Sequence, residues 1–259
     1  MADVPPSVLS ALEAGRCESV NLMEWLATDM NALALTVARE TDHQDLARSL
    51  RRIAPAVGSL KITGRLALLG DTIAAVAAPG TAPMAELASH RSDLVRQWAC
   101  YATVRSPTWS LLADRLAAVR PFARDPNMSV RETAWMAFRP YLAAELRAGL
   151  DLLVGVAGDS DPNIRRFAVE VSRPRSVWGA HLAPLKTDPA PGRRILDSVR
   201  SDPSRYVQLA AGNWLNDVAR TSPDWVRRLA ADWLTDAGPA TRHIVRRGLR
   251  SLPAVAGVS

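Results

Sequence analysis

The chain has 259 residues, of which 48% are apolar and 22% charged, so it is long and apolar enough to fold around a buried core. Its only cysteines, Cys17 and Cys100, exclude a disulfide framework and a cysteine-ligated zinc site, and we expect two buried thiols in a reducing cytoplasm. No apolar run is long enough to span a membrane and no secretory signal is visible, so we expect no membrane partner.

Helical periodicity dominates the N-terminal half of the chain. Apolar spacing predicts helices over about residues 7–15, 19–40, 43–57 and 60–78. No convincing run of alternating β-type residues occurs anywhere. The sequence therefore predicts an all-helical protein.

One phrase recurs from residue 92 onward: an acidic or Asp-Pro turn, a branched apolar residue, a basic or polar residue, and an alanine-rich helix. The branched residues are Val95, Val130, Ile164 and Val207, at intervals of 35, 34 and 43 residues. Each interval holds two helices and two short loops, and such a pair buries its apolar face only by stacking on its neighbours. We predict a right-handed α-solenoid of HEAT-like helical repeats with a concave basic groove, forming one domain over residues 1–259, clearest over 91–250.

The positive charge lies in the second half of the chain. Residues 1–130 hold 13 Lys+Arg and 13 Asp+Glu, whereas residues 131–259 hold 19 and 13. A basic half suits a polyanion such as nucleic acid. An arginine-rich composition without any ligand is the alternative.

The longest interval contains an insertion, residues 172–191, whose prolines at 174, 184, 189 and 191 are expected to break regular structure. It places Arg173, Arg175 and Trp178 directly after a helix that carries Glu170. This constellation is unusual for a pure scaffold, although Trp178 could also cap the core between repeats.

These residues resemble a known family. The stretch 161–186, with its Ile-Arg-Arg start, Glu170, the Ser-Arg-Pro-Arg turn and Trp178, resembles the AlkC branch of the AlkD/AlkC superfamily of DNA glycosylases. Residues 130–132, 202–207, 213–217 and 222–226 are similar to that family too. The resemblance implies a HEAT-like solenoid whose concave basic surface holds duplex DNA. It also implies removal of cationic N-alkylated bases, such as 3-methyladenine, 3-methylcytosine, 1-methyladenine or 7-methylguanine, without a metal or organic cofactor.

The implied chemistry identifies candidate catalytic residues. Loss of a cationic base leaves an oxocarbenium-like sugar, which a carboxylate can stabilise while it orients water. Glu170 and Glu132 are the candidates, since they lie on equivalent helices of neighbouring repeats and could face one groove, and Trp178 suits a cationic base or sugar. Alternatively, Glu132 is a solvated partner of Arg131 or Arg139, and Glu170 forms an ordinary i,i+4 ion pair with Arg166.

Other polar residues are candidate DNA contacts. Arg166, Arg173 and Arg175 would pair with phosphates that flank the lesion. Asn213 and Asp217 share one helical face and would either line the DNA site or form a buried network. The remaining tryptophans are expected in the core: Trp25, Trp98, Trp109, Trp135, Trp214, Trp225 and Trp233. Arg246 and Arg247 belong, with Arg242 and Arg250, to a basic helix face that contacts the DNA backbone or is merely solvated.

Taken together, the sequence predicts a monofunctional alkylbase DNA glycosylase that acts on duplex DNA containing alkylated bases. We expect a cytoplasmic, nucleoid-associated monomer with no metal and no appended immunoglobulin-like domain. The alternative is a non-catalytic HEAT-repeat scaffold that binds nucleic acid or protein.

Overall fold

The structure, a computed structural model, describes residues 4–253, which contain sixteen α-helices, one 3₁₀ turn and no strand. The predicted all-α fold class is confirmed. The helices in chain order are α1 (Pro6–Glu13), α2 (Leu22–Ala27), α3 (Met30–Glu40), α4 (Gln44–Val57), α5 (Ile62–Ala74), α6 (Ala82–Ala88), α7 (Asp93–Arg105), α8 (Leu112–Ala123), α9 (Met128–Ala144), α10 (Leu146–Val156), α11 (Pro162–Val171), α12 (Ala183–Thr187), α13 (Arg193–Val199), α14 (Arg205–Ala219), α15 (Pro223–Leu234) and α16 (Pro239–Leu249). None of these described helices has the length and apolar character needed to cross a bilayer.

The chain divides into two compact units, and the boundary lies in the sequence between Phe138 and Arg139. In the first unit, α3 packs on α4 and α5 packs on α7. In the second, α14 packs on α16 and on α11. The single domain over residues 1–259 stays a prediction, and residues 1–3 and 254–259 of it lie outside the described residues.

One predicted N-terminal helix is wrong. The expected helix over 19–40 is two helices, α2 and α3, because Thr28 has extended backbone with ψ of 128°. Asp29 then caps α3, and its side chain accepts a hydrogen bond from the Asn31 N–H at 2.8 Å. An aspartate in this position satisfies a helix-terminal N–H that has no partner inside the helix.

The four recurrent turns each lead into a helix, namely α7, α9, α11 and α14, as predicted. The side chain that follows each branched apolar residue donates to the carbonyl six residues earlier. The four donors are Arg96, Arg131, Arg165 and Gln208, at 2.8, 2.7, 2.9 and 2.8 Å. The basic or polar position of the repeat therefore holds the turn that precedes its own helix, where backbone carbonyls need partners.

Two of these arginines also reach the next turn along the chain. Arg96 forks onto both carboxylate oxygens of Asp125 at 2.8 and 3.0 Å, and Arg165 forks onto Asp202 at 2.6 and 3.0 Å. Within unit one, and again within unit two, the acidic turn residue is thus fixed by the preceding repeat. The same carboxylates also accept from the N–H two residues onward, at 2.8 Å in both turns.

Burial corrects three expectations. Five of the seven predicted core tryptophans are buried, but Trp109 and Trp225 are only half-buried. Trp109 donates its indole N–H to the Thr103 carbonyl at 2.7 Å. Cys100 is buried as expected, whereas Cys17 is half-buried.

Candidate catalytic and DNA-binding site

The insertion after α11 is irregular only in its first part, around Pro174, because Pro184 lies in the first turn of α12 and Pro191 lies in the 3₁₀ turn Ala190–Gly192. Residues 172–182 form no helix, and the short helix α12 follows. Arg139, on α9, donates to three carbonyls in or next to this segment: Val171 at 2.7 Å, Arg173 at 2.7 Å and Ala180 at 2.8 Å. The single guanidinium therefore ties together the two ends of the loop.

Arg139 is a buried cation with only 3% of its surface exposed. Burial, together with the charge of Arg173, lowers the pKa of Arg139 to about 10, so the side chain is still charged at neutral pH. Sequence reasoning missed this residue as part of the site. The available signal was a charged residue directly after the apolar run 134–138 of α9.

Arg173 lies between two carboxylates. Its Nη1 donates to Glu170 Oε1 at 2.6 Å, while Nε and Nη2 fork onto the two carboxylate oxygens of Asp217 at 2.8 and 3.2 Å. These two carboxylates raise the pKa of Arg173 against the opposing effect of burial. The structure thus brings together Glu170, Arg173 and Asp217, which lie on α11, the insertion and α14.

Glu170 is buried, with 7% of its surface exposed. Its second oxygen lies 3.7 Å from Arg166, so the i,i+4 ion pair is present but longer than a hydrogen bond. The Arg166 guanidinium also lies 4.2 Å over the centre of the Tyr206 ring, a cation–π arrangement. The Oε2 atom of Glu170 therefore keeps capacity to accept a hydrogen bond from a water or a ligand.

The other two residues of the insertion differ in their contacts. Arg175 donates its Nε–H to the backbone carbonyl of Asp217 at 3.1 Å. Trp178 is half-buried, and its backbone N–H donates to Ser176 Oγ at 3.2 Å. Part of the surface of Trp178 is therefore open to solvent, as contact with a ligand would require.

Asn213 and Asp217, which share a face of α14, hold different arginines. Asn213 Oδ1 accepts from Arg247 Nε at 3.0 Å and from Arg250 Nη2 at 3.2 Å. Arg246 does not join this group, since its guanidinium contacts the His243 ring at 3.3 Å. Arg250, part of the predicted basic face, is thus brought to Asn213.

Glu132 lies on α9 in the first compact unit, whereas Glu170 belongs to the second. Glu132 is half-buried, and its Oε2 accepts the indole N–H of Trp135 at 2.8 Å. That both carboxylates face one groove stays a prediction. Among residues 4–253, no group of His, Cys, Asp or Glu is placed to hold a metal ion.

The chain is similar in sequence to a bacterial protein and in fold to a solved structure. No protein-family model matches it. It is 34% identical over 120 residues to the uncharacterized protein YhaZ of Bacillus subtilis, a match that spans 46% of this chain and 33% of YhaZ. It superposes with a TM-score of 0.68 and 24% identity on Pseudomonas fluorescens alkylpurine DNA glycosylase AlkC bound to DNA containing an abasic site analog, covering 95% of this chain and 62% of AlkC. The chain is therefore AlkC-like in its fold, a HEAT-like helical solenoid, as its sequence motifs imply.

Proposed function

We propose that this protein is a DNA glycosylase that hydrolyses the N-glycosidic bond of cationic N-alkylated bases in duplex DNA. The observation that carries the proposal is the buried Glu170 carboxylate, held by Arg173, which Asp217 holds in turn. The AlkC-like fold supports the same function. The lesions would be of the 3-methyladenine, 3-methylcytosine, 1-methyladenine and 7-methylguanine type.

The proposed reaction needs little acid catalysis. An alkylated base already carries a positive charge, so the C1′–N bond breaks with its electron pair moving to the base, which departs neutral. The sugar is left as an oxocarbenium ion, and water attacks C1′. The Oε2 atom of Glu170 would stabilise this cation, orient the water and accept its proton.

The surrounding residues would have separate roles. Arg173 would fix the direction of Glu170, because its own guanidinium is bound on the other side by Asp217. Trp178, which is half-buried, would contact the cationic base or the sugar. Arg175 would reach a phosphate near the lesion. Glu132 is the second candidate carboxylate, and Arg166 and Arg246 remain proposed backbone contacts.

Base release from duplex DNA with one 3-methylcytosine or 3-methyladenine tests the proposal. We expect Glu170→Gln to lower single-turnover release by about 10²- to 10⁴-fold, the usual contribution of a positioned acid–base group. Glu145→Gln, at an exposed glutamate of the same unit, is the matched control and should release base like wild type.

Two results would contradict the proposal. One is a wild-type protein that releases no base above background, which would favour a non-catalytic scaffold. The other is a folded Glu170→Gln variant as active as wild type. We further propose that the protein acts as a monomer in the cytoplasm, associated with the nucleoid, and that the reaction uses no metal.

A further inference from the structure

Two guanidinium groups converge on one neutral oxygen at the surface of the second unit. Asn213 Oδ1 accepts from Arg247 Nε at 3.0 Å and from Arg250 Nη2 at 3.2 Å. Arg250 is also held by the Arg247 carbonyl, to which its Nη1 donates at 2.6 Å. Both cations are therefore fixed side by side, although each belongs to a flexible side chain.

Close helix packing fixes the stem of Arg247. A methyl group on Gly212 of α14 would lie 2.7, 2.9 and 2.9 Å from Arg247 Cβ, Cγ and Cδ, closer than such atoms can approach. Likewise, a methyl group on Gly248 of α16 would lie 2.7 Å from Leu215 Cβ. The absence of side chains at these two glycines lets α16 lie directly on α14, so the Arg247 stem is packed before any ligand binds.

The charge of this pair is not neutralised by its protein partner. Asn213 offers a dipole and no negative charge. Burial lowers the pKa of Arg250, and the charges of Arg247, Arg173 and Arg220 lower it further, with Asp217 opposing them. Asp217 itself is bound by the fork of Arg173. Like charges held this close cost free energy that a bound anion would recover.

We infer that Arg247 and Arg250 form a clamp for a single backbone phosphodiester of DNA, and that Asn213 positions the clamp without contacting the DNA. Each guanidinium uses one N–H on Asn213, and the Nη groups of Arg247 have no protein partner within residues 4–253, which leaves donors for phosphate oxygens. The choice of DNA as the polyanion rests on the proposed function, but the clamp itself requires no catalysis.

The test is binding of full-length protein to an undamaged 20-base-pair duplex, measured by fluorescence anisotropy across a range of salt concentrations. The slope of log K against log salt is negative, and each lost phosphate contact should reduce its magnitude by about 0.9. We expect Arg250→Gln, which leaves Arg247 alone on that phosphate, to reduce the magnitude of the slope by up to this amount and to bind about tenfold more weakly at low salt.

Asn213→Ala is the decisive variant because it leaves the net charge unchanged. We expect about fivefold weaker binding and a lower salt slope, since the guanidiniums lose their common acceptor. Asn213→Asp would pair internally with both arginines and should bind more weakly still, without loss of thermal stability. Arg242→Gln removes one charge from the same helix and is the matched control, because Arg242 donates to Ala237 O and lies outside the pair.

The clamp is refuted if folded Asn213→Ala and Asn213→Asp bind undamaged DNA like wild type. It is equally refuted if Arg242→Gln lowers the salt slope as much as Arg250→Gln, which would indicate a diffuse basic face. Because undamaged duplex offers no base to excise, a failure of the glycosylase proposal leaves these outcomes unaffected.

Discussion

Replacement of Arg139 by methionine should loosen the insertion that carries Arg173 and Trp178. The substitution removes three charge-assisted hydrogen bonds, to the carbonyls of Val171, Arg173 and Ala180. The Val171 and Arg173 bonds count most, because Ala180 is exposed and its carbonyl can be hydrated. Two bonds of this kind contribute about 3–6 kcal/mol together.

The cost of burying the Arg139 charge, which the substitution removes, reduces this loss. The pKa of Arg139 falls from 12.5 to about 10, so the folded protein disfavours this cation by about 3 kcal/mol, which an uncharged methionine recovers. The net destabilisation is therefore about 0–3 kcal/mol, or a fall in Tm of at most roughly 12 °C for a chain of this size. The damage should be concentrated in residues 172–182.

Hydrogen exchange across residues 172–182, measured beside thermal unfolding and base release, tests this reasoning. Arg139→Met should speed exchange in that segment and reduce base release, since Arg173 would lose its anchor. Arg165→Met, which removes a half-buried guanidinium bonded to Asp202 and to the 159–160 turn, should leave exchange in 172–182 unchanged. Wild-type protection of residues 172–182 in Arg139→Met, or equally fast exchange there in both variants, would refute an anchoring role for Arg139.

Three further predictions follow from packing and charge. Arg165→Met should destabilise the protein by about 3 kcal/mol by leaving Asp202 buried without its partner, and Arg165→Met/Asp202→Asn should lose less than the sum of the single variants in urea unfolding. Gly212→Ala should lower the free energy of unfolding by about 1–3 kcal/mol by overpacking against Arg247, whereas Gly155→Ala, which has nothing within 4 Å, should be neutral or stabilising by up to about 1 kcal/mol. Equal urea midpoints for the two variants would contradict this. Burial lowers the pKa of His90 from 6.5, and Arg91 adds to the effect, so the folded state favours the neutral ring and stability should fall as the pH drops below 6.5. His90→Asn, which can still accept the Ser92 N–H, should flatten the profile of Tm against pH between pH 7.5 and 5.5.

The repeats were predictable because their signals are local. An Asp-Pro turn, a branched apolar residue and helical apolar spacing act within a few residues, so α7, α9, α11 and α14 could be placed from the sequence. The break between α2 and α3 depends on Thr28 and Asp29 within a continuous apolar pattern, where a short cap outweighs the periodicity.

The site was only partly predictable because its partners are distant in the sequence. Asp217 and Glu170 were both candidates. No local sequence signal indicates that Arg173 bonds to Asp217, 44 residues away, as well as to Glu170, three residues away. Arg139 reaches the Arg173 carbonyl across 34 residues. Such pairings are decided by the packing of helices, which a residue pattern alone does not specify.

The partners of each arginine decide what its charge can do, and this divides the predicted DNA contacts into two groups. Arg173 bonds to Glu170 and Asp217, so its charge is used to orient them, and Arg166 lies 3.7 Å from Glu170, so part of its charge is balanced there. Arg175, Arg247 and Arg250 bond to neutral oxygens of the backbone or of Asn213, so they keep positive charge for an outside anion. The net charge of +6 therefore overstates the positive charge available near Glu170. It also does not reveal that Arg247 and Arg250 are held side by side at the end of α16. If the proposed function holds, the second group would attract the DNA backbone, while the first group would set the geometry of the carboxylate.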